Sequence, residues 1–251
     1  MAKVIAPFKL SGTIDGINFA DTTEGNIARS EREKHMTSKE FYANPIYDRI
    51  REHGKEMGYC ALKSRYFRQL AVQFYRNSKD VSFAGRANQI LLEILDEDTL
   101  NPKGRRTLDE GMKSPFLNEI LVGFEGNKQR PLSKVLKTKF QQDPEQRSVT
   151  IADFNPLEHL DWPEEATHVH IAMATSNWDF VNNLFDTCYS QEIKLAKEAE
   201  TQALVLNTEK PVGTQLQISY LYIGFAKLER RKYKLFHRRS NTASIIACHN
   251  P

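Results

Sequence analysis

Near residue 115 the apolar spacing of this chain changes from a helical to an extended period, and its fold must accommodate both. Before that point Ile46, Ile50, His53, Met57, Cys60, Ser64, Phe67, Leu70 and Phe74 recur in steps of three and four, the spacing that lines one face of an α-helix. Thr37 and Glu40 have capping-box spacing. Asn44-Pro45 offers a second start, because the first helical position has no intrahelical use for the N–H that Pro lacks. The stripe predicts one helix of about eight or nine turns. Gly54 and Gly58 lie four apart on one of its faces. Each costs about 1 kcal/mol of helix propensity relative to Ala, and close approach of another backbone is the simplest compensation, so both are candidate helix-packing positions. A second helix follows Ser78-Lys79-Asp80, with Phe83, Ala87, Ile90, Leu91, Ile94 and Leu95 on its apolar face, and ends at Asn101-Pro102-Lys103-Gly104.

Beyond residue 115, short apolar runs alternate with Pro, Gly, Asn and charged turns. The candidate strands are Ile120–Phe124, Val149–Phe154, His168–Ala174, Gln191–Leu195, Ala203–Leu206, Gln215–Phe225 and Ser244–Cys248, at intervals typical of an antiparallel sandwich. The first 30 residues also alternate, through Ile5, Phe8, Leu10, Ile14, Ile17, Phe19 and Ile27. Asp15-Gly16 between them is a hairpin signal, since Gly supplies the positive φ that a primed turn requires. The reading is an α+β protein in three parts: a β-hairpin arm at 1–36, a helical region with a long helix at 37–114, and an antiparallel β-sandwich at 115–251. A hairpin as small as the arm is marginal alone and must pack on something else.

Composition excludes several classes. Forty per cent of the 251 residues are hydrophobic and 10% aromatic, enough to build a core. Mean hydropathy is −0.56, and no apolar run approaches the roughly 18 residues of a membrane span. The first 20 residues lack the apolar core of a secretory signal. The three cysteines, Cys60, Cys188 and Cys248, are odd in number and widely spaced, which fits a reducing compartment rather than a disulfide framework. The expectation is a soluble cytoplasmic protein without a membrane partner, although a signal-independent route of release stays open.

Few residues fall into patterns that carry chemistry. His168-x-His170 would set two imidazoles on one face of a strand, but a zinc site needs a third and usually a fourth ligand. His159, Asp153, Asp161 or Cys188 could supply them only through folding, and two solvent-facing histidines are the plainer reading. No Gly-x-Ser-x-Gly elbow, phosphate loop or dinucleotide fingerprint is present. Cys60 on the helix stripe reads as a small buried hydrophobe, as do Cys188 and Cys248. The sequence therefore implies no catalytic residue, no metal and no cofactor.

Charge has more contrast. Between Lys227 and Arg239 seven basic residues face one acid, Glu229, with Tyr233 and Phe236 interleaved. Arg230, Arg231, Lys232, Lys234, Arg238 and Arg239 are the candidate contacts of such a hairpin, either to nucleic-acid phosphates with aromatics stacking on bases or to another subunit. Asp143 to Glu165 holds seven acids and one base, Arg147, so the two blocks could lie side by side or match between protomers. The N-terminal arm could likewise be the first hairpin of the main fold or donate strands to a neighbouring copy.

The whole-chain pattern resembles a family of uncharacterised proteins found in Bacteroidota. The resemblance is carried by Leu10-Ser11-Gly12-Thr13-Ile14 with Ile17-Asn18-Phe19, Gly25 and Arg29, and by the stretch from Asn44-Pro45 to Phe74. It continues in Asn101-Pro102-Lys103-Gly104-Arg105-Arg106 with Leu121–Asn127, and in Tyr222–Phe225, Tyr233–Leu235 and Ser244–Ala247. The chain departs from that pattern at Ala20-Asp21-Thr22-Thr23-Glu24 and in its strongly basic last hairpin. The family brings no established activity, so the resemblance implies a bacterial protein outside the familiar enzyme superfamilies and transfers no site residue.

Three functional readings follow, in order: a non-enzymatic structural or interaction protein that self-associates, a nucleic-acid-binding protein using Lys227–Arg239, and an enzyme with no recognisable linear motif.

Overall fold

A computed structural model describes residues 2–22, 25–30 and 36–249. The chain forms two compact units, 1–49 and 50–251. The helical and β regions that the sequence separates at 114/115 thus share one unit. The arm extends past residue 36 to Arg49.

In the first unit, β1 (Ala2–Lys3), β2 (Gly12–Ile14), β3 (Ile17–Thr22) and β4 (Gly25–Ser30) make an antiparallel sheet in the order β1-β4-β3-β2. Asp15 and Gly16 both have positive φ, 49° and 72°, as the expected primed turn requires. Helix α1 (Ser38–Ala43) starts at the Thr37–Glu40 capping box.

The second unit takes in nearly all of α2 (Asp48–Phe67), then α3 (Val72–Ser78), α4 (Phe83–Asp96), α5 (Leu108–Gly111), α6 (Leu117–Leu121) and α7 (Leu132–Val135). It continues through β5 (Gln141–Asp143), β6 (Ser148–Phe154), α8 (Pro156–His159), β7 (His168–Asp179), β8 (Leu184–Tyr189), β9 (Ile193–Ala196), β10 (Gln202–Asn207), β11 (Leu216–Glu229), β12 (Lys232–Leu235) and β13 (Thr242–His249). The expected strand at Ile120–Phe124 is a correction: its first half is α6, and only the segment around Glu125 bridges to β13.

Strands β7 and β11 form the centre of a six-stranded antiparallel sheet that curls into a half-barrel. They pair without interruption from Leu216↔Trp178 to Ala226↔His168. Strands β13 and β12 follow one another along the outer side of β11, and β8 and β9 along the outer side of β7. One face of the sheet presents Trp178, Ala174, Ala172, Ile218, Tyr220 and Tyr222 to the helices. The other presents Val169, Ile171, Met173, Leu221, Ile223 and Phe225 to the small sheet β10-β6-β5. Two apolar cores therefore lie on opposite faces of one sheet, the α+β arrangement with sheet packed on sheet behind it.

The single long helix is a second correction. The stripe is cut at residues 68–71, where the Leu70 carbonyl accepts hydrogen bonds from Ser176 Oγ (2.9 Å) on β7 and Thr187 Oγ1 (2.6 Å) on β8. Cys60, Ser64, Phe67, Leu70 and Phe74 are buried as the stripe implies, whereas Ile46, Ile50 and Met57 are more than half exposed. In its earlier turns α2 is held instead by charge. The Glu56 carboxylate, 4% exposed, accepts hydrogen bonds from Arg106 Nε (2.8 Å), Arg106 Nη2 (2.7 Å) and the Gly104 N–H (2.7 Å), and Arg106 also reaches Asp96. Gly104 has φ +81°, and a Cβ there would stand 2.6 Å from Glu52 Cγ, so this approach needs glycine. Beside it, burial would raise the Asp98 carboxyl, but donors from Asn101, Thr107 and Leu100 hold it down at about 2.

Removing one partner of a buried ion pair leaves the other charge uncompensated. Arg106→Met is expected to destabilise the protein by about 3–5 kcal/mol, and Glu56→Leu with Arg106→Met by clearly less. Urea unfolding of the two variants measures this, and equal losses would contradict it.

Candidate interaction surfaces

The six basic candidates fall into two groups. Strands β11 and β12 run past the end of β7, which stops pairing at Ala226↔His168, and continue as a two-stranded ribbon paired from Ala226↔Leu235 to Glu229↔Lys232. Arg230, Arg231, Lys232 and Lys234 are exposed on it. Among the described residues the first three form no ion pair, and Lys234 has a long 3.8 Å contact with Glu229. The turn residues Arg230 and Arg231 have φ of 47° and 66°, a primed turn in which Asn and Gly are the favoured occupants.

Arg238 and Arg239 lie back at the ribbon's base, in a 3₁₀ turn. Their carbonyls accept hydrogen bonds from Asn127 Nδ2, and Asn241, 1% exposed, ties the same corner to the Phe225 N–H and the Asn77 carbonyl. Tyr233 packs edge-on to His168 and His170 at 5.1 and 5.3 Å, and Lys194 Nζ lies 5.4 Å from its ring centre.

A second surface is the N-terminal sheet. Residues paired across antiparallel strands share a face. Ile14↔Ile17, Gly12↔Phe19, Phe19↔Ala28 and Ala2↔Ala28 therefore gather Ile14, Ile17, Phe19, Ala28 and Ala2 on one side. The other side carries Lys3, Thr13, Asn18, Ala20, Ile27 and Arg29. None of the described residues of the first unit is buried, and Ile14 and Ile17 are 58% and 43% exposed.

The helix-packing reading of Gly54 and Gly58 is corrected within this chain. A Cβ at either would meet nothing within 4 Å, because both glycines lie on the outward side of α2.

The histidines and cysteines do not converge. The expectation of two solvent-facing histidines is corrected: His170 is buried, 3% exposed, with Nδ1 3.0 Å from Glu192 Oε1, and His168 is half-buried. His159 accepts the Asn155 N–H, and Asp161 pairs with Arg130 at 2.9 Å. Among the described residues no three potential metal ligands cluster. All three cysteines are free, and burial pushes the Cys60 and Cys248 thiols up to about 12, far from the thiolate that nucleophilic chemistry uses.

No catalytic or binding motif points to Glu125, whose surroundings come from distant segments. Gly123–Gly126 is clamped along β13 by Gly123 N–H to Ile245 O (2.8 Å), Ile245 N–H to Phe124 O (3.0 Å) and Gly126 N–H to Ala243 O (2.7 Å). The Glu125 carboxylate accepts the Leu132 N–H (2.9 Å) and Thr242 Oγ1 (3.3 Å). It borders a groove of about 700 Å³ walled by Val122, Leu132, Leu136, Phe140 and Ile246.

Burial raises the Glu125 carboxyl from its ordinary 4.5 to about 7, against those hydrogen bonds and the nearby Arg86 charge. The carboxyl thus stays protonated in the folded chain at pH values where the unfolded chain has ionised. Its contribution to stability is full below 4.5 and is lost as pH rises through about 7. The loss is about 3 kcal/mol at most. Wild type is expected to lose this stability between pH 5 and 8 relative to Glu125→Gln, as measured by urea unfolding. His170 titrates in both proteins, so the difference isolates Glu125, and parallel profiles would contradict the assignment.

No protein-family description, curated protein or solved structure matches this chain. Among the described residues no helix is long and apolar enough to cross a membrane.

Proposed function

We propose that this chain is a non-enzymatic structural or interaction protein that self-associates through its N-terminal sheet. The observation that carries this reading is the apolar face of Ile14, Ile17, Phe19 and Ala28 on a sheet none of whose described residues is buried. A small sheet with an exposed apolar face gains about 25 cal/mol for each Å² of that face removed from water, and a unit as short as residues 1–49 draws little stability from its own core, so oligomerisation is a common supplement at this size. The same face on a second copy is self-complementary, which suits the two-fold pairing commonest among homo-oligomers.

The second reading, nucleic-acid binding, has in its favour Arg230, Arg231 and Lys232, which form no ion pair among the described residues. Against it, Tyr233 already packs on two histidines and a lysine, which leaves the ribbon short of the free aromatic faces that single strands stack on.

At high salt, where contacts between charged surfaces are screened, deleting residues 1–36 is expected to lower the mass in solution by about twofold, the change from a two-fold pair to its protomer. Phe19→Asp with Ile17→Asp should do the same. Light-scattering chromatography reads both, and an unchanged mass in both variants would sink the reading.

A further inference from the structure

We infer that the basic β11–β12 ribbon docks head to tail into the groove beside the β5–β6 turn of a second copy of this chain. This deepens the self-association reading but uses a contact separate from the N-terminal sheet. Strand β11 sets the geometry. At its far end comes the Arg230-Arg231 turn, and three bases, Arg230, Lys232 and Lys234, line the ribbon's cleft with one acid, Glu229. At its near end Gln217 pairs with His249. There His249, Gln141, Gln142, Asp143, Glu145 and Gln146 line a groove of about 810 Å³.

The two ends of this 14-residue strand are about 40 Å apart along its length. One molecule therefore presents positive charge at one end and carboxylates with side-chain amides at the other. Among the described residues Asp143 and Glu145 form no ion pair. Asp143 Oδ1 accepts only the Gln146 N–H (2.9 Å), and Arg147 in the same turn donates to the Glu145 carbonyl rather than to its carboxylate.

The chemistry of the two surfaces matches. Guanidinium groups present several donors in a planar fork and bind carboxylates with directional, charge-assisted hydrogen bonds. The turn also keeps Arg at two left-handed positions, each of which costs an L-residue with a Cβ about 1–2 kcal/mol. That cost attends the two residues that carry charge furthest from the sheet, and backbone strain of this kind concentrates at functional contacts. A contact between unlike ends is heterologous, so it propagates along a row of copies instead of closing.

Two charge-reversed proteins test this: Arg230→Glu with Arg231→Glu and Lys232→Glu, and Asp143→Lys with Glu145→Lys. Glu145, Arg230, Arg231 and Lys232 are exposed and Asp143 is half-buried, and far-ultraviolet circular dichroism checks that both variants fold. Wild type is expected to form species larger than a dimer that shrink with salt. Each variant alone should stop at the dimer or below, and an equimolar mixture should regain the larger species, because each reversed end then meets its complement. A mixture that stays small, or variants that keep the wild-type mass, would overturn the proposal. So would a ribbon variant that loses only its binding to a single-stranded oligonucleotide. The 1–36 deletion separates the two contacts. If it leaves the mass unchanged while the charge variants reduce it, the sheet reading fails and the ribbon contact stands; the converse result rejects the ribbon alone.

Discussion

The uninterrupted pairing of β7 with β11 is the constraint on which the second unit depends. Side chains alternate faces along a strand, so a slip of one residue would turn Tyr220, Tyr222 and Trp178 away from the helices and Leu221, Ile223 and Phe225 away from the small sheet. Both cores would be lost together. Their residue types also differ with the element they face. On the helix side Phe74 stacks on Tyr222 at 5.0 Å and Phe67 meets Trp178 at 5.8 Å, large rings filling the wide gap over small Ala172 and Ala174. On the opposite side branched aliphatics meet those of β6 and β10, as sheet-on-sheet packing favours.

Apolar burial draws these layers together, while single polar groups fix their position. The Leu70 carbonyl, freed by the break between α2 and α3, is satisfied by hydroxyls from two strands. A buried backbone carbonyl requires such a partner. Lys63 does the same for the β7–β8 turn, where its ammonium reaches the Phe180 and Val181 carbonyls and Asn183 Oδ1. Burial lowers its basicity while Asp179 opposes the shift. Asn127 and Asn241 hold the corner between β12 and β13. Each anchor joins segments far apart in sequence.

That separation explains what was legible. The α4 face, the Asp15-Gly16 turn, the Thr37–Glu40 cap and the apolar runs that became β7, β10 and β11 are local patterns, and all appear in the fold. The break at residues 68–71 is not local, since nothing near Leu70 announces that Ser176 and Thr187 will meet its carbonyl. Periodicity likewise continued the α2 stripe back through Met57 and Ile50, although the buried neighbours at that level are Glu56 and Arg106, whose pairing spans 50 positions. The basic run was visible as composition, but its division into a ribbon and an anchored corner depended on strand pairing. Glu125 carried no motif, because its setting is assembled from Arg86, Leu132 and Thr242.

The ribbon has a consequence for misassembly. Among the described residues strand β12 pairs with β11 on one side only, and an unpaired edge is a template on which stray strands can nucleate aggregates. Lys232 and Lys234 fall at alternate positions of its four residues, so any strand laid along that edge would bring ammonium groups together with each copy added. Such lysines act as gatekeepers. The same charges that make the tip sticky toward carboxylates also guard its flank against amyloid-like growth.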